Sequence, residues 1–520
     1  MTTTKSGASA PAKDRLGALS ILGYGAGDAA NNLAFTTATM FLLVYYTDVA
    51  GISAAAVGTL FLVLRIFDAF TDVAAGRLVD KVNTKRWGKF RPFILFGSLP
   101  LLLLSVATFH VPQIGESGML LYAYVTYGLL GIAYTLVNIP YGSLAAAMTQ
   151  VPGERAKLAS ARTVGAAVVG GALGVFVAPQ LGAGADLQGI FTTVTVSFVF
   201  IGMALYLFTF FTTKERVYRK IPHVTMKQSF ATLKGNKPLL MLCFSSLLLL
   251  TGMISMTTAQ IYLMRDVFDS VGLVAVISLS QLVLIFLLAP FVPLVVRKIG
   301  KRTAYIIGAL IGAGGMVIAF FAPSAVVALV GLIIAMVGML LVNMLIWAIE
   351  ADTVEYGEWK TGVRTEGITY ALFSFTRKTG QAFGGALAAY AIGLGGYVAG
   401  ESLTSAAEWG IRAGVAGLPA VCVVLAALVM LFYPLTDKVH ATIVSEITQR
   451  RAQEQADEGL TPTEAAMALG AEALSVESEP GAAGAQQDVS LSTAAFSTGR
   501  AQPGGAQDRK GRKKRSDTPQ

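Results

Sequence analysis

The sequence predicts an all-α membrane protein with twelve transmembrane helices in two pseudo-symmetric six-helix bundles. Three observations carry that prediction. Of its 520 residues, 54% are hydrophobic and only 14% charged, whereas about a quarter of the residues in soluble domains are charged. The apolar residues gather into runs long enough to cross a bilayer, roughly 20 residues at 1.5 Å rise each. The longest internal connection, 213–237, is basic, with Lys214, Arg216, Arg219, Lys220, Lys227 and Lys234, and leaves six runs on either side. An internal echo points the same way: the turn after the second run reads RWGKFRPF and the turn after the eighth reads RKIGKRTAY.

In order, the runs fall near 19–47, 52–80, 92–111, 117–148, 158–182, 189–212, 238–264, 271–296, 303–322, 325–350, 366–396 and 409–434. An even number returns both termini to one side, and the loops say which. Lys81, Lys85, Arg86, Lys89 and Arg91 follow the second run, Arg155 and Lys157 the fourth, and Arg297, Lys298, Lys301 and Arg302 the eighth. The opposite loops hold little charge beyond Asp48, Glu116, Asp186 and Glu401. By the positive-inside rule the basic loops and both ends are cytoplasmic, in a plasma or inner membrane. The expected organisation is a cytoplasmic segment 1–18, a first bundle 19–212, a basic linker 213–237, a second bundle 238–434 and a cytoplasmic, largely disordered tail 435–520.

Residues 1–18 lack an apolar core leading into a small-residue cleavage site, so no cleaved signal peptide is expected. In the tail, Thr461 and Glu464 have capping-box spacing around Pro462, which predicts one helix to about Leu474. The cluster Arg509, Lys510, Arg512, Lys513, Lys514 and Arg515 either docks on anionic headgroups or is a solvated tail. Cys243 and Cys422 lie in apolar runs of different halves, and His110, His223 and His440 are scattered. Neither a disulfide framework nor a metal site follows. The net charge of +9 is accounted for by loops and tail, through orientation in the membrane rather than nucleic-acid binding. The pentamer GYGAG is a helix-face pattern outside any βαβ context, and no zinc, nucleophile-elbow or phosphate-loop motif is present, so an enzyme is not expected.

The chemistry concentrates between Gly58 and Arg91, where Arg65, Asp68 and Asp72 interrupt an apolar run at spacings that put all three on one helical face. At mid-bilayer each such residue costs roughly 2.5–3.5 kcal/mol on insertion scales, so intramembrane charges usually face a cavity and have a task. Two carboxylates one turn apart in a dry cavity repel, which raises the affinity of one for a proton or, with further oxygen ligands, for sodium; Arg65 opposes that rise. The alternative is a structural Arg–Asp pair that only locks helices together. On the fourth run Thr135 and Asn138 offer neutral oxygens just before Pro140. They either complete a cation site, or Asn138 caps carbonyls that Pro140 leaves unpaired.

For a solute, the first run offers Tyr24, Asp28, Asn31 and Asn32. Amides donate to and accept from hydroxyl groups at once, which suits sugars. Arg162 on the fifth run and Arg377 and Lys378 on the eleventh occupy equivalent helices of a six-plus-six repeat and can face one cavity, although Arg162 can also snorkel to the membrane surface as an anchor. Cations over an amide-lined cavity favour a sugar bearing a carboxylate. The segment Ala351 to Gly367 packs Asp352, Glu355, Glu358, Lys360, Arg364 and Glu366 into a connection. These either pair with Arg65, Lys89 and Arg91 as a gate on the cytoplasmic side or are simply solvated.

Two six-helix halves joined by a basic linker are the plan of the major facilitator superfamily fold. Within it, YYTDVAG, RIFDAFTD, RWGKFRPF, NIPYGSLAAAMTQ, EADTVEYGEWKTGVRTEG and FSFTRKTGQAFGG resemble, in the same order, the glycoside-pentoside-hexuronide:cation symporter family. The likeness runs from about Leu19 to Asp437, and VNIPYGSL, EADTVEYGE and FYPLTDK are most similar to its glucuronide-carrying members. The resemblance implies a secondary transporter in which Asp68, Asp72, Thr135 and Asn138 lie at cation positions and Asn32, Arg162 and Lys378 at sugar positions. Melibiose-type members have Lys-Asp where this chain has Asn31-Asn32, and a third acid at Asn138. Losing the first acid removes repulsion toward an anionic sugar; losing the second weakens a sodium cage but leaves proton binding possible, since a proton needs one basic oxygen and no coordination shell. The resulting expectation is glucuronide import with H+, or with Na+ as the other coupling ion. The rival within the class is a pentoside or neutral glycoside symporter, and from another class a membrane receptor or scaffold signalling through the tail. A monomer in contact with lipids, with no cofactor beyond the coupling ion and no nucleic acid, completes the expectation.

Overall fold

A computed structural model describes residues 16–82, 84, 86–149, 151–182, 184–216, 235–362 and 366–457. Arg364, most of the basic linker, the helix expected from Pro462 and the terminal basic cluster lie outside them. The described elements are α1 Ala18–Val44, α2 Ala54–Lys81, α3 Arg91–Thr108, α4 Glu116–Met148, α5 Pro152–Ala172, α6 Leu187–Thr212, α7 Lys237–Tyr262, α8 Leu273–Leu288, α9 Val292–Ile299, α10 Lys301–Phe320, α11 Ala325–Thr361, α12 Glu366–Leu394, α13 Ser405–Arg412, α14 Leu418–Leu431 and α15 Asp437–Asp457. The described residues form no β-strand beyond one isolated bridge, Thr84 to Gly88.

Among the described residues, nine helical stretches are long and apolar enough to cross a membrane, or ten when α8 and α9, bent by 58° at their junction, are taken as one. Helices α1 and α12, of 27 and 29 residues, have the length but are not among them. Their polar residues are the reason: α1 carries Asp28, Asn31 and Asn32, and α12 carries Arg377, Lys378 and Gln381.

Helix neighbours repeat. Helix α1 packs on α5 and α6, α3 on α4 and α6, and α2 on α4; likewise α7 packs on α12 and α14, α10 on α11 and α14, and α8 on α11. Across the two sets α2 meets α12, α5 meets α8 and α1 meets α7. Both α1 and α7 end in five-residue π-turns, Tyr45–Val49 and Leu263–Val267, each closing on Asp-Val. Contact between α12 and α7 is close because a side chain at Gly380 or Gly384 would meet backbone of α7 at 2.7 and 2.6 Å.

The basic turns repeat in three dimensions too. Gly88 and Gly300 both have left-handed backbone, φ +85° and +80°, which a glycine adopts without strain. After Gly88, the Glu215 carboxylate accepts from the backbone N–H of Lys89, Phe90 and Arg91 at 2.8, 2.8 and 3.1 Å. After Gly300, Asp437 accepts from Lys301 N–H at 2.9 Å. Each acid satisfies donors that a helix start leaves unpaired.

Three stretches differ from the sequence reading. The eighth run is not one straight helix, since α8 and α9 are bent by 58° at their junction, whereas α13 and α14 of the twelfth continue through a π-turn, Ala413–Gly417, as one apolar stretch. Helix α11 continues through the charged segment to Thr361, where Gly362 in left-handed conformation ends it with its N–H on Glu358 O. Helix α15 stands where disorder was expected. Its own composition is polar, but Ile443 is buried and Ile447 packs on the core one turn later, so tertiary contact supplies what periodicity did not show.

Candidate functional site

A hollow opens between the two helix sets, lined by Phe35 of α1, Arg65 and Asp68 of α2, Tyr127 of α4, Thr258 of α7 and Gln381 of α12. Asp68 lies 3.5 Å from Arg65 Nη1, and both are half-buried. Its carboxylate sits against Gly131 of α4, where an added side chain would come within 2.7 Å of Asp68 Oδ1. One turn on, Asp72 accepts from Thr135 Oγ1 at 2.9 Å and pairs with Lys378 Nζ, which reaches it from α12 in the other helix set. Asn138 Oδ1, a turn beyond Thr135, is buried with no hydrogen-bond partner. The structure thus groups Asp68, Asp72 and Thr135 with a lysine that the sequence reading had given to the solute.

The residues expected at the solute divide. Asp28 pairs with Arg162 Nε at 2.7 Å and accepts from Asn32 Nδ2 at 3.0 Å, while Asn32 Oδ1 accepts from Thr36 Oγ1 at 3.0 Å. Arg162 is therefore held by an intramembrane acid rather than anchored at the surface. Arg377 rests over the Trp347 ring, 5.0 Å from its centroid, with Asn343 Oδ1 at 3.3 Å. The other two residues expected at the solute are buried. Tyr24 is buried, stacked on Tyr141 at 4.7 Å, and the hydroxyl of Tyr141 donates to Tyr24 O at 2.6 Å. Asn31 is wholly buried and accepts from Tyr206 OH at 2.7 Å. Both pack among α1, α4 and α6, and Asn31 Nδ2 is left without a hydrogen-bond partner.

Among the described residues, the contacts seen for the expected gate residues stay within one helix set. Arg91 donates to Phe210 O and lies 4.4 Å from the centroid of that ring, Lys89 lies over the Phe90 ring, and Arg65 pairs with Asp68. Asp352 accepts from Lys301 Nζ at 2.7 Å, Glu355 pairs with His440, and Glu358 with Arg451. In this conformation these acids do not meet Lys89 or Arg91.

The closed side is the opposite one. Among the described residues, side-chain hydrogen bonds between the helix sets run from Asp72–Lys378 toward the side away from the basic loops: Thr39 O with Thr258, Thr59 with Tyr390, Thr47 with Tyr262, and Asp48 with Arg265 and Tyr397. Arg265 Nε also meets Asp266 Oδ1 at 2.9 Å, and Tyr397 OH lies 3.0 Å from Arg265 Nη2. Sequence reasoning missed this cluster. The signal was present in the Asp-Val endings of the first and seventh runs, which the repeat makes equivalent.

Comparison with known proteins decides the family. The sequence profile described as MFS/sugar transport protein matches residues 23–437. The chain belongs to that family of membrane transporters. It is 46% identical to the glucuronide carrier protein homolog of Escherichia coli (strain K12), over 84% of this chain and 96% of that one. It is 34% identical to the isoprimeverose transporter of Lactiplantibacillus pentosus, over 83% and 92%. A solved bacterial homologue of the human lysosomal transporter Spinster, 15% identical, shares the fold with a TM-score of 0.57 over 82% of this chain and 96% of that one. The fold is accordingly that of the major facilitator superfamily, and the protein is a multi-pass membrane protein.

Proposed function

We propose that the protein imports a glucuronide by symport with a cation, H+ in preference to Na+. It would do so through twelve membrane crossings in two bundles, 19–212 and 238–434, with the basic loops and both termini cytoplasmic. The observation that carries the reading is Asp72, which Thr135 holds from α4 and Lys378 holds from the other helix set. A carboxylate shared in this way exchanges partners: when the cation takes it, Lys378 is released toward the solute, and loading of one ligand favours the other. Asn32 and the Asp28–Arg162 pair supply hydroxyl-binding groups beside it. Similarity to a glucuronide carrier homolog supports the anionic sugar. Asn138, with its unused oxygen, is one neutral ligand where a sodium cage needs several, which supports the proton.

Adding a glucuronide to purified, reconstituted protein in weakly buffered medium tests this directly, with proton uptake expected. Asp68→Asn should abolish uphill accumulation in vesicles; accumulation at the unmutated level would sink the coupling role. A second reading, a pentoside or neutral glycoside symporter, rests on the similarity to the isoprimeverose transporter. Under that reading xylosides, rather than glucuronides, displace bound tracer.

A further inference from the structure

Three of the cations within the long helices have an acid of their own: Arg65 has Asp68, Arg162 has Asp28 and Lys378 has Asp72. Arg377 has no carboxylate partner among the described residues. Its guanidinium is half-buried and touches the rings of Trp347 and Phe373, at 5.0 and 5.9 Å, and the amide oxygen of Asn343 at 3.3 and 3.4 Å. Contacts with ring faces consume no N–H, and the amide contacts are longer than an ordinary N–H···O bond. A planar fork of five donors is thus held in place with its bonding capacity mostly unspent.

Burying an unpaired charge is costly unless something completes it. Here the missing partner is an anion with two coplanar oxygens, which the guanidinium edge fits bidentately. The neighbourhood also suits the rest of a sugar. Trp347 stacks with Tyr370, centroids 6.0 Å apart and planes 26° from parallel, giving an apolar platform for a pyranose face next to the cation. Asn343 and Trp347 sit one turn apart on α11, and Arg377 and Tyr370 two turns apart on α12, so two rigid helices fix the geometry.

We propose that Arg377, oriented by Asn343 and Trp347, is the subsite that receives the carboxylate of the uronate ring and sets the preference for hexuronides over neutral glycosides. Arg162, matched by Asp28, then acts on hydroxyl groups, and Lys378, matched by Asp72 until the cation binds, acts on coupling. The proposal rests on the reading of the protein as a glucuronide carrier and names the residue that makes it one.

The test uses full-length protein in proteoliposomes and competition by three nitrophenyl glycosides that differ only at C5 of the ring: the glucuronide, the glucoside and the xyloside. For the unmutated protein the glucuronide should compete best. Arg377→Gln should weaken the glucuronide by at least about thirtyfold, as loss of one partner of a buried charge pair does, and change glucoside and xyloside affinity less than about threefold. Arg377→Lys should fall between, keeping the charge without the fork, and Asn343→Leu should weaken the glucuronide alone, by less. Equal loss for all three sugars in folded Arg377→Gln protein, or an undiminished glucuronide preference, overturns the proposal while leaving the carrier reading standing. If Arg377→Gln does not fold, the same two outcomes are read from Asn343→Leu. Unmutated protein that does not prefer the glucuronide overturns the carrier reading and this proposal with it.

Discussion

Asp72 and Asn138 show how single side chains in this membrane protein are set by their neighbours. Asp72 is tied to Lys378 and Thr135, so its protonation removes an ion pair between the two helix sets and does not simply discharge a free acid. Asn138 keeps a buried oxygen with no partner, a group that costs about 1–3 kcal/mol if nothing ever fills it. If the coupling ion is a proton, Asn138→Leu should leave uptake driven by a pH gradient nearly intact and the fold no less stable. If that oxygen ligates sodium, the same change should abolish sodium-driven uptake; flux in vesicles under each gradient separates the two. The residues themselves were legible in the sequence, because Arg65, Asp68 and Asp72 stand out in an apolar run. Their partners were not: helical spacing says which side chains share a face, and only the meeting of α2 with α12 decides that Lys378 lands on Asp72. The burial of Tyr24 and Asn31 was not legible for the same reason, since polarity in a membrane helix marks a buried hydrogen bond as readily as a binding site.

At the scale of elements, α15 is the clearest case of structure that composition hides. It docks on the extension of α11 through polar contacts: Trp359 Nε1 donates to Glu446 at 2.6 Å, Arg450 Nη1 donates to Trp359 O at 2.9 Å, Arg451 pairs with Glu358, and His440 pairs with Glu355. Burial pushes the His440 imidazolium toward losing its proton, Lys301 adds to that, and the bond to Glu355 with the charges of Asp352 and Glu355 outweighs both, so the group titrates above its ordinary 6.5. A raised value means that the histidine stabilises docking fully below pH 6.5 and that this stabilisation is lost as pH rises through the raised value. Amide exchange across 437–457, corrected for its intrinsic pH dependence, should therefore be slower at about pH 6 than at about pH 8.5. His440→Gln should flatten that difference; an unchanged profile in the variant would assign the pH response to another group. The same docking occupies Glu355 and Glu358, so α15 and any gate on this side compete for the same acids.

At the scale of the whole molecule, the asymmetry of contacts between the helix sets defines the conformation. Their shared hydrogen bonds lie from Asp72–Lys378 outward, ending in the cluster of Asp48, Arg265, Asp266 and Tyr397, and the basic-loop side carries none among the described residues. A carrier that exposes one site to two sides must break such a cluster once per cycle, so its strength sets how long this state persists. Arg265 is the keystone: it and Asp48 are only 6% and 8% exposed, and without it two acids stay close together with no cation. Arg265→Gln should weaken the closed side by about 3–5 kcal/mol, the cost of leaving one partner of a buried pair alone, unless the acids take up protons, which leaves part of that loss. A shift of that size moves a largely closed population to a largely open one. Spin labels at Gln113 and Ser402, exposed on the closed side in different helix sets, should then give a longer and broader distance distribution than in the unmutated protein. Asp48→Asn should do the same more weakly, because Asp266 still holds the arginine. Unchanged distances in Arg265→Gln would mean that apolar contact between α1 and α7, and not this ionic cluster, keeps the side shut.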